Sequence, residues 1–201
     1  MSSPKNILLP STRRQKRIAD VLGRRLPGLT VVMENIHDPH NVSAIFRSCD
    51  AVGVVGVELL YTTEKFPRIG KKSSSSANKW VDRRKHTDVA SCFATLRSEG
   101  YRILATRVTP GAKTIFDEDL TGPVAFVLGN EHRGVSDEAL HLADAGVQIP
   151  MQGMIESLNV SVATAVLLYE TLRQRMAKGP LAVPALPAAD YDRLLQDWLR
   201  R

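Results

Sequence analysis

Three times in this chain a short apolar run of strand length ends in a polar loop, and each loop leads into a segment with helical apolar spacing. The runs are Leu29 to Met33, Val124 to Leu128 and Ala145 to Ile149. The helical patterns span about Asn41 to Val52, Ser136 to about Leu142, and Val160 to about Arg175. Unbroken apolar strands are buried on both faces, which a parallel sheet between two helix layers provides. Further strands are expected at Val54 to Tyr61, Arg102 to Thr106 and, briefly, Trp80 to Lys85, with a helix over Thr87 to Glu99 and a turn region over Phe116 to Leu120. This alternation predicts an α/β domain with a mostly parallel sheet flanked by helices.

A loop at the carboxyl edge of such a sheet and the amino end of a helix offers unpaired backbone N–H groups and a positive dipole end. Those suit a small ligand carrying a carboxylate or ring acceptors. Glycines at 129, 134 and 153 permit close backbone approach. Several familiar ligand motifs are missing. The chain has no GxxxxGK[ST], no GxGxxG after its first strand, no HExxH and no GxSxG. His37, His40 and Cys49 match no standard zinc spacing, so no metal is expected.

Charge supplies the next constraint. Lys and Arg number 27 against 21 Asp and Glu, a net charge of +6. The excess is clustered. Residues 13–25 hold Arg13, Arg14, Lys16, Arg17, Arg24 and Arg25, and residues 65–85 hold a further run with Lys71 and Lys72 beside four serines. Arg173, Arg175 and Lys178 form a third group. Clustered positive charge points to a polyanionic partner. No stretch approaches the roughly 18 apolar residues of a membrane span, and the basic amino end lacks an apolar signal core. Cys49 and Cys92 form no CxxC pair, so a reduced, cytoplasmic setting is expected. The chain divides into a basic helical arm (1–28, with a helix over 12–25 capped by Ser11 or Thr12), a main domain (29–178), and a proline-rich linker with a terminal helix (179–201) bearing Tyr191, Leu194, Leu195 and Trp198. The segment from 62 to 78 reads as a loop that orders on binding.

The loops carry specific sequences. The first stands as Glu34-Asn-Ile-His-Asp-Pro-His-Asn-Val-Ser-Ala-Ile-Phe-Arg-Ser-Cys-Asp50, the second as Phe126-Val-Leu-Gly-Asn-Glu-His-Arg-Gly-Val-Ser136, and the third as Ile149-Pro-Met-Gln-Gly-Met-Ile-Glu-Ser-Leu-Asn-Val-Ser161. In order and spacing they resemble the three motifs of the SpoU/TrmH branch of the SPOUT superfamily, the RNA ribose 2′-O-methyltransferases. The resemblance covers roughly residues 29–176. It implies S-adenosylmethionine as methyl donor, a carboxyl-terminal trefoil knot and a homodimer. The two helical arms are similar, more loosely, to those of the TrmH subgroup, which methylates guanosine 18 in the tRNA D-loop. A ribosomal RNA nucleotide is the alternative substrate, and a non-catalytic RNA-binding module the alternative class.

By the same resemblance, Leu128, Gly129, Asn130, Ile149, Met151, Ser157 and Leu158 hold the cofactor. Arg47 has the central catalytic role. Asn41 orients the ribose, Glu131 orders the second loop or contacts the partner subunit, and Ser157 and Asn159 shape the pocket and support catalysis. Holding an arginine neutral near pH 7 costs on the order of 7 kcal/mol, from a pKa above about 12. Arg47 is therefore preferred as a phosphate clamp and electrostatic anchor, with general-base action left open. Arg13, Lys16 and Arg17 are the first choice for phosphate contacts, with Arg173 and Arg175 second.

Overall fold

The structure, a computed structural model, describes residues 11–68, 77–107, 112–179 and 186–201. Seven strands form one sheet: β1 (Leu29–Glu34), β2 (Gly56–Leu60), β3 (Asp82–His86), β4 (Arg102–Thr106), β5 (Lys113–Thr114), β6 (Val124–Leu128) and β7 (Ala145–Gln148). They lie in the order β3-β2-β1-β6-β4-β7-β5, and each neighbouring pair is parallel. The helices are α1 (Thr12–Leu22), α2 (Pro39–Val52), α3 (Val89–Ser98), α4 (Asp137–Leu142), α5 (Val160–Ala177) and α6 (Ala188–Arg200).

The central strands explain the layering. All six residues of β1 and all five of β6 are buried, so both sheet faces are covered. Along β1, Val31 and Met33 join Phe46, Leu167 and Leu168 under α2 and α5, while Val32 joins Phe93 and Ala139 under α3 and α4. Side-chain alternation thus builds two cores from one strand. Burying a side chain such as Phe46 or Phe93 contributes roughly 1.5–3 kcal/mol, which is why these strands carry continuous apolar runs. Asp38 caps α2 through the His40 N–H at 2.8 Å, with Pro39 in the first turn. Gly53 ends α2 at φ 96°, and a Cβ there would lie 2.9 Å from the Arg24 carbonyl oxygen. The pairing β1–β6 places the ends of the first and second loops side by side at the carboxyl edge of the sheet.

Several expected boundaries move. The first helix stops at Leu22 rather than Arg25, because the chain turns there to bury Arg25 and Leu26. Arg25, counted above with the basic cluster, is 1% exposed. Its guanidinium pairs with Asp50 at 2.6 Å, donates to the carbonyls of Val54 (3.2 Å) and Trp80 (3.1 Å), and lies 4.9 Å from the Trp198 ring centre. Burial pulls its pKa down despite Asp50. Removing one partner from such a buried pair costs about 3–5 kcal/mol, so Arg25 is a structural residue. The second helix begins at Pro39, two residues before Asn41, because Asp38 and not Asn41 is its cap. The short strand β5 adjoins the expected turn region and pairs with β7. Residues 69–76, which include the Lys71–Ser76 run, and residues 180–185 of the expected linker lie outside the described residues.

The terminal helices close on one another. Ile18 and Leu22 of α1 pack with Leu194 and Trp198 of α6 in a third apolar cluster. Trp198 meets Trp80 edge-on at 5.0 Å. An amphipathic helix of this length is not stable alone, and α6 is held by this contact.

Candidate active site

The second and third loops, with the end of β4, line a cleft of about 410 Å³ at the carboxyl ends of β6, β4 and β7. Its floor is apolar, from Leu128, Val147, Ile149, Leu158 and Leu167. Its polar lining includes Arg107, Glu131, Glu156, Ser157 and Asn159. All seven residues assigned to the cofactor, Leu128, Gly129, Asn130, Ile149, Met151, Ser157 and Leu158, line it, as do Glu131 and Asn159. Ligand pockets of this kind commonly occupy about 300–1,000 Å³.

The second loop is fixed by its own geometry. A Cβ on Gly129 would lie 2.0 Å from the Gly134 carbonyl carbon and 2.1 Å from Val135 N, so only glycine fits there. The Gly134 N–H donates to the Asn130 carbonyl at 2.8 Å, closing the turn. Asn130 Oδ1 accepts the N–H groups of His132 and Arg133, and its Nδ2 donates to the Asn35 carbonyl at 2.8 Å. Asn130 thus shapes the loop that lines the cleft and ties it to the end of β1.

A hydrogen-bond chain links the three loops through side chains. Asn41 Nδ2 donates to Glu131 Oε1 at 3.0 Å, and Asn159 Nδ2 donates to Asn41 Oδ1 at 3.0 Å. Asn159 Oδ1 in turn accepts the N–H of Ser161 at 2.9 Å, capping α5. The Glu131 carboxylate also takes the backbone N–H groups of His37 (3.1 Å) and Asp38 (3.2 Å). Burial works to raise the Glu131 pKa, but the hydrogen bonds from Asn41, His37 and Asp38 outweigh it, and the group sits below the usual carboxylate value. Glu131 therefore ties the first and second loops together through its carboxylate. Because its carboxylate accepts only, it fixes the Asn41 amide with its oxygen toward Asn159.

Arg47 projects from the exposed side of α2 and makes no ion pair with the described residues. It does not line the cleft but stands on the same helix as Asn41. Ser157 lies exposed on the third loop and lines the cleft. Arg13, Lys16 and Arg17 lie on α1, and all three are exposed. Arg173 is exposed but held by Glu170 at 2.8 Å. Arg175 requires a correction: its guanidinium donates to the carbonyls of Pro27, Gly28 and Gly122 at 3.0, 2.8 and 2.8 Å, and to Leu120 at 3.4 Å. Its donors are committed to backbone, so it pins α5 to the loops before β1 and β6 and is not free for phosphate.

Three supports carry no clear mark in the sequence. Asn35, at φ 51°, accepts the N–H groups of Thr62, Thr63 and Glu64 and so holds the segment after β2 beside the first loop. Glu34, 2% exposed, accepts the Ser136 N–H at 3.0 Å, and the Tyr61 hydroxyl donates to the Ile36 carbonyl. Asp38-Pro39, by contrast, is a visible helix-start signal. Nothing local in the sequence marks Glu34, whose partner is distant in the chain.

Among known proteins, the profile of the SpoU rRNA Methylase family matches residues 28–169. A tRNA (guanosine(18)-2′-O)-methyltransferase of Thermus thermophilus is 46% identical over 188 residues, covering 94% of this chain and 96% of that protein. The crystal structure of the Aquifex aeolicus TrmH/SpoU tRNA modifying enzyme superposes with a TM-score of 0.86 at 37% identity, covering 93% of this chain and 95% of that one. The SpoU methyltransferase AviRb of Streptomyces viridochromogenes, solved in complex with AdoMet, is 28% identical with a TM-score of 0.66, covering 77% of this chain and 62% of that one.

Proposed function

We propose, since this chain belongs to the SpoU rRNA methylase family, that it methylates the ribose 2′-hydroxyl of guanosine 18 in tRNA with S-adenosylmethionine as donor, in the cytoplasm. The observation that carries the reading is the cleft lined jointly by the second and third loops, with the first loop tied to it through Asn41, Glu131 and Asn159.

The residues present suit this cofactor. The close approach at Gly129 and the apolar lining residues Leu128, Val147, Ile149, Leu158 and Leu167 provide for an adenine ring and a ribose, beside the charged Arg107, Glu131 and Glu156. When bound, the cofactor supplies an electrophilic sulfonium methyl. Leu128, Ile149, Met151 and Leu158 pack the adenosine, and Gly129, Asn130 and Ser157 offer polar groups at its edge. Asn41 and Asn159, held in one orientation by Glu131, position the acceptor ribose. Arg47 holds the adjoining phosphate and steadies negative charge as it grows on the 2′-oxygen. The hydroxyl proton passes to water as the oxygen–carbon bond forms and the carbon–sulfur bond breaks. The cost of about 7 kcal/mol for holding an arginine neutral near pH 7 stands against Arg47 acting as base. Positioning of this kind supplies several kcal/mol of the barrier.

The test is methyl transfer from labelled S-adenosylmethionine to total tRNA and to ribosomal RNA in parallel, with nucleoside analysis. Product 2′-O-methylguanosine in tRNA alone is expected. Label in ribosomal RNA alone would overturn the substrate, and label in neither would overturn the activity.

We further propose that two copies pair through α5. Val162, Tyr169 and Met176 are exposed at a seven-residue spacing, which places them on one helix face. Met154 and Ile155 on the third loop are exposed as well. Scattered apolar residues need no explanation, but an aligned row does. Sedimentation should give a dimer at micromolar concentration, and Tyr169→Glu should shift it to monomer. An active monomer in the unmodified protein would refute the pairing.

A further inference from the structure

We propose that the outer face of β3, carrying Arg83 and Lys85, is a phosphate track that leads the RNA backbone along the sheet edge toward Arg47. This rests on the RNA methylase reading above and adds a part of the RNA footprint that neither the three loops nor the α1 arm contains.

The strand reads Asp82-Arg83-Arg84-Lys85-His86, a charge run that by itself suggests only a solvated edge. The sheet sorts these residues by face. Register pairs Val57 with Arg83, Glu58 with Arg84, and Leu59 with Lys85. Arg84 and His86 therefore share the face of Glu58, toward α3, and there they are neutralised. Arg84 binds Glu58 through two nitrogens, each at 2.8 Å, and also binds Glu99. His86 Nε2 lies 2.6 Å from Glu58. The hydrogen bonds that Arg84 donates to Glu99 and Glu58 push its pKa upward.

Arg83 and Lys85 fall on the other face, with Val57 and Leu59, toward α2. Both are exposed, and neither makes an ion pair with the described residues. The nearby carboxylates are taken: Asp50 by Arg25, and Asp82 by Arg201 and Arg193. Two unpaired cations at alternate positions of one strand stand about 6.6 Å apart, close enough to engage neighbouring phosphates of one strand. The Arg83 guanidinium lies 6.0 Å from the centre of the Phe46 ring. That contact restrains the side chain, and Phe46 is the residue immediately before Arg47. β3 is an edge strand with no neighbour beyond it among the described residues, and Arg83 and Lys85 are exposed at this edge. Lys79, exposed at the end of the short turn Ala77–Lys79 that packs on α2, extends the same positive margin. Unpaired, partly ordered cations without local acids match a polyanion better than an acidic protein face, because the strand offers no apolar anchor between them.

The test is a salt titration of tRNA binding by the intact protein and by Arg83→Ala/Lys85→Ala. Each phosphate contact contributes about 0.9 to the slope of log affinity against log salt. The double variant should bind tRNA roughly tenfold more weakly, with a slope shallower by about 1.8. Its affinity for S-adenosylmethionine and its melting temperature should not change, since both side chains are exposed. Arg83→Lys with Lys85→Arg, which keeps the charge, should retain the slope. A double variant that binds tRNA with unchanged affinity and slope would overturn the track while methyl transfer by the intact protein leaves the activity standing. Intact protein that neither binds nor methylates tRNA would instead overturn the substrate reading, and the track with it.

Discussion

Replacing Arg47 with Ala should lower methyl transfer to tRNA by about 10³-fold or more in single turnover, while S-adenosylmethionine affinity stays within a few-fold. The first half follows from what an exposed, unpaired guanidinium beside the proposed ribose site can do. Loss of one well-placed charge-stabilising donor costs about 10²–10³, and loss of the phosphate contact adds misplacement of the hydroxyl. The second half follows from position: Arg47 does not line the cleft proposed for the cofactor. Loss of cofactor binding in this variant would refute the role. Arg47→Lys separates charge from shape, since it keeps the cation but not the planar fork. A partial recovery is expected.

The pH profile tells anchor from base. A group acting as base contributes in its neutral form, so an arginine base would make the rate climb with pH across the whole accessible range. An anchor contributes in its cationic form, so Arg47→Lys, which keeps the cation, should leave the shape of the profile unchanged. A rate rising tenfold per pH unit that flattens earlier in Arg47→Lys would reinstate the base.

How far these roles were legible in the sequence depends on the range of the interactions concerned. Strands such as β1 and β6 were plain, because burial on both faces demands an unbroken apolar run that few other structures use. The loops that line the cleft were legible because each is a contiguous segment with a specific residue order. The Asn41–Glu131–Asn159 chain was only half visible. Its members were identifiable by motif, but that they bond to one another spans 90 and 118 residues of sequence separation, and no local pattern encodes it. The positive charges misled most. Arg13 and Lys16 on α1 are free to face solvent, whereas Arg25 and Arg175 are consumed by carbonyls, a carboxylate and a tryptophan ring. An arginine's net role is set by which acceptors the fold brings to it, and composition counts all of them alike. The same fact blunts one obvious experiment. Deleting residues 1–25 would remove Arg25 and expose the Trp198 side of α6 along with the basic arm, so Arg13→Ala/Lys16→Ala/Arg17→Ala is the cleaner probe of RNA contact.

Gly129→Ala should abolish measurable cofactor binding, a loss of at least about 100-fold, whereas Gly134→Ala should cost little beyond local strain. The two glycines bracket the same turn but for different reasons. At Gly129 an added methyl would meet backbone atoms of Gly134 and Val135 at 2.0–2.1 Å, and no side-chain rotation can relieve a clash with main chain. The turn must open, and opening it breaks the Gly134–Asn130 hydrogen bond and moves Asn130 away from the Asn35 carbonyl. Glu131 moves with it, so Asn41 loses its partner and the ribose site loosens together with the cofactor wall. At Gly134 nothing lies within 4 Å of an added methyl, but φ is +69°. The cost there is the left-handed conformation itself, roughly 1–2 kcal/mol, with the cleft left in place. Calorimetric titration of S-adenosylmethionine beside thermal unfolding would read both effects. If Gly129→Ala bound the cofactor as well as Gly134→Ala does, the close approach at Gly129 would not be what shapes the cleft, and the second loop would have to hold its ligand by side chains instead of by backbone.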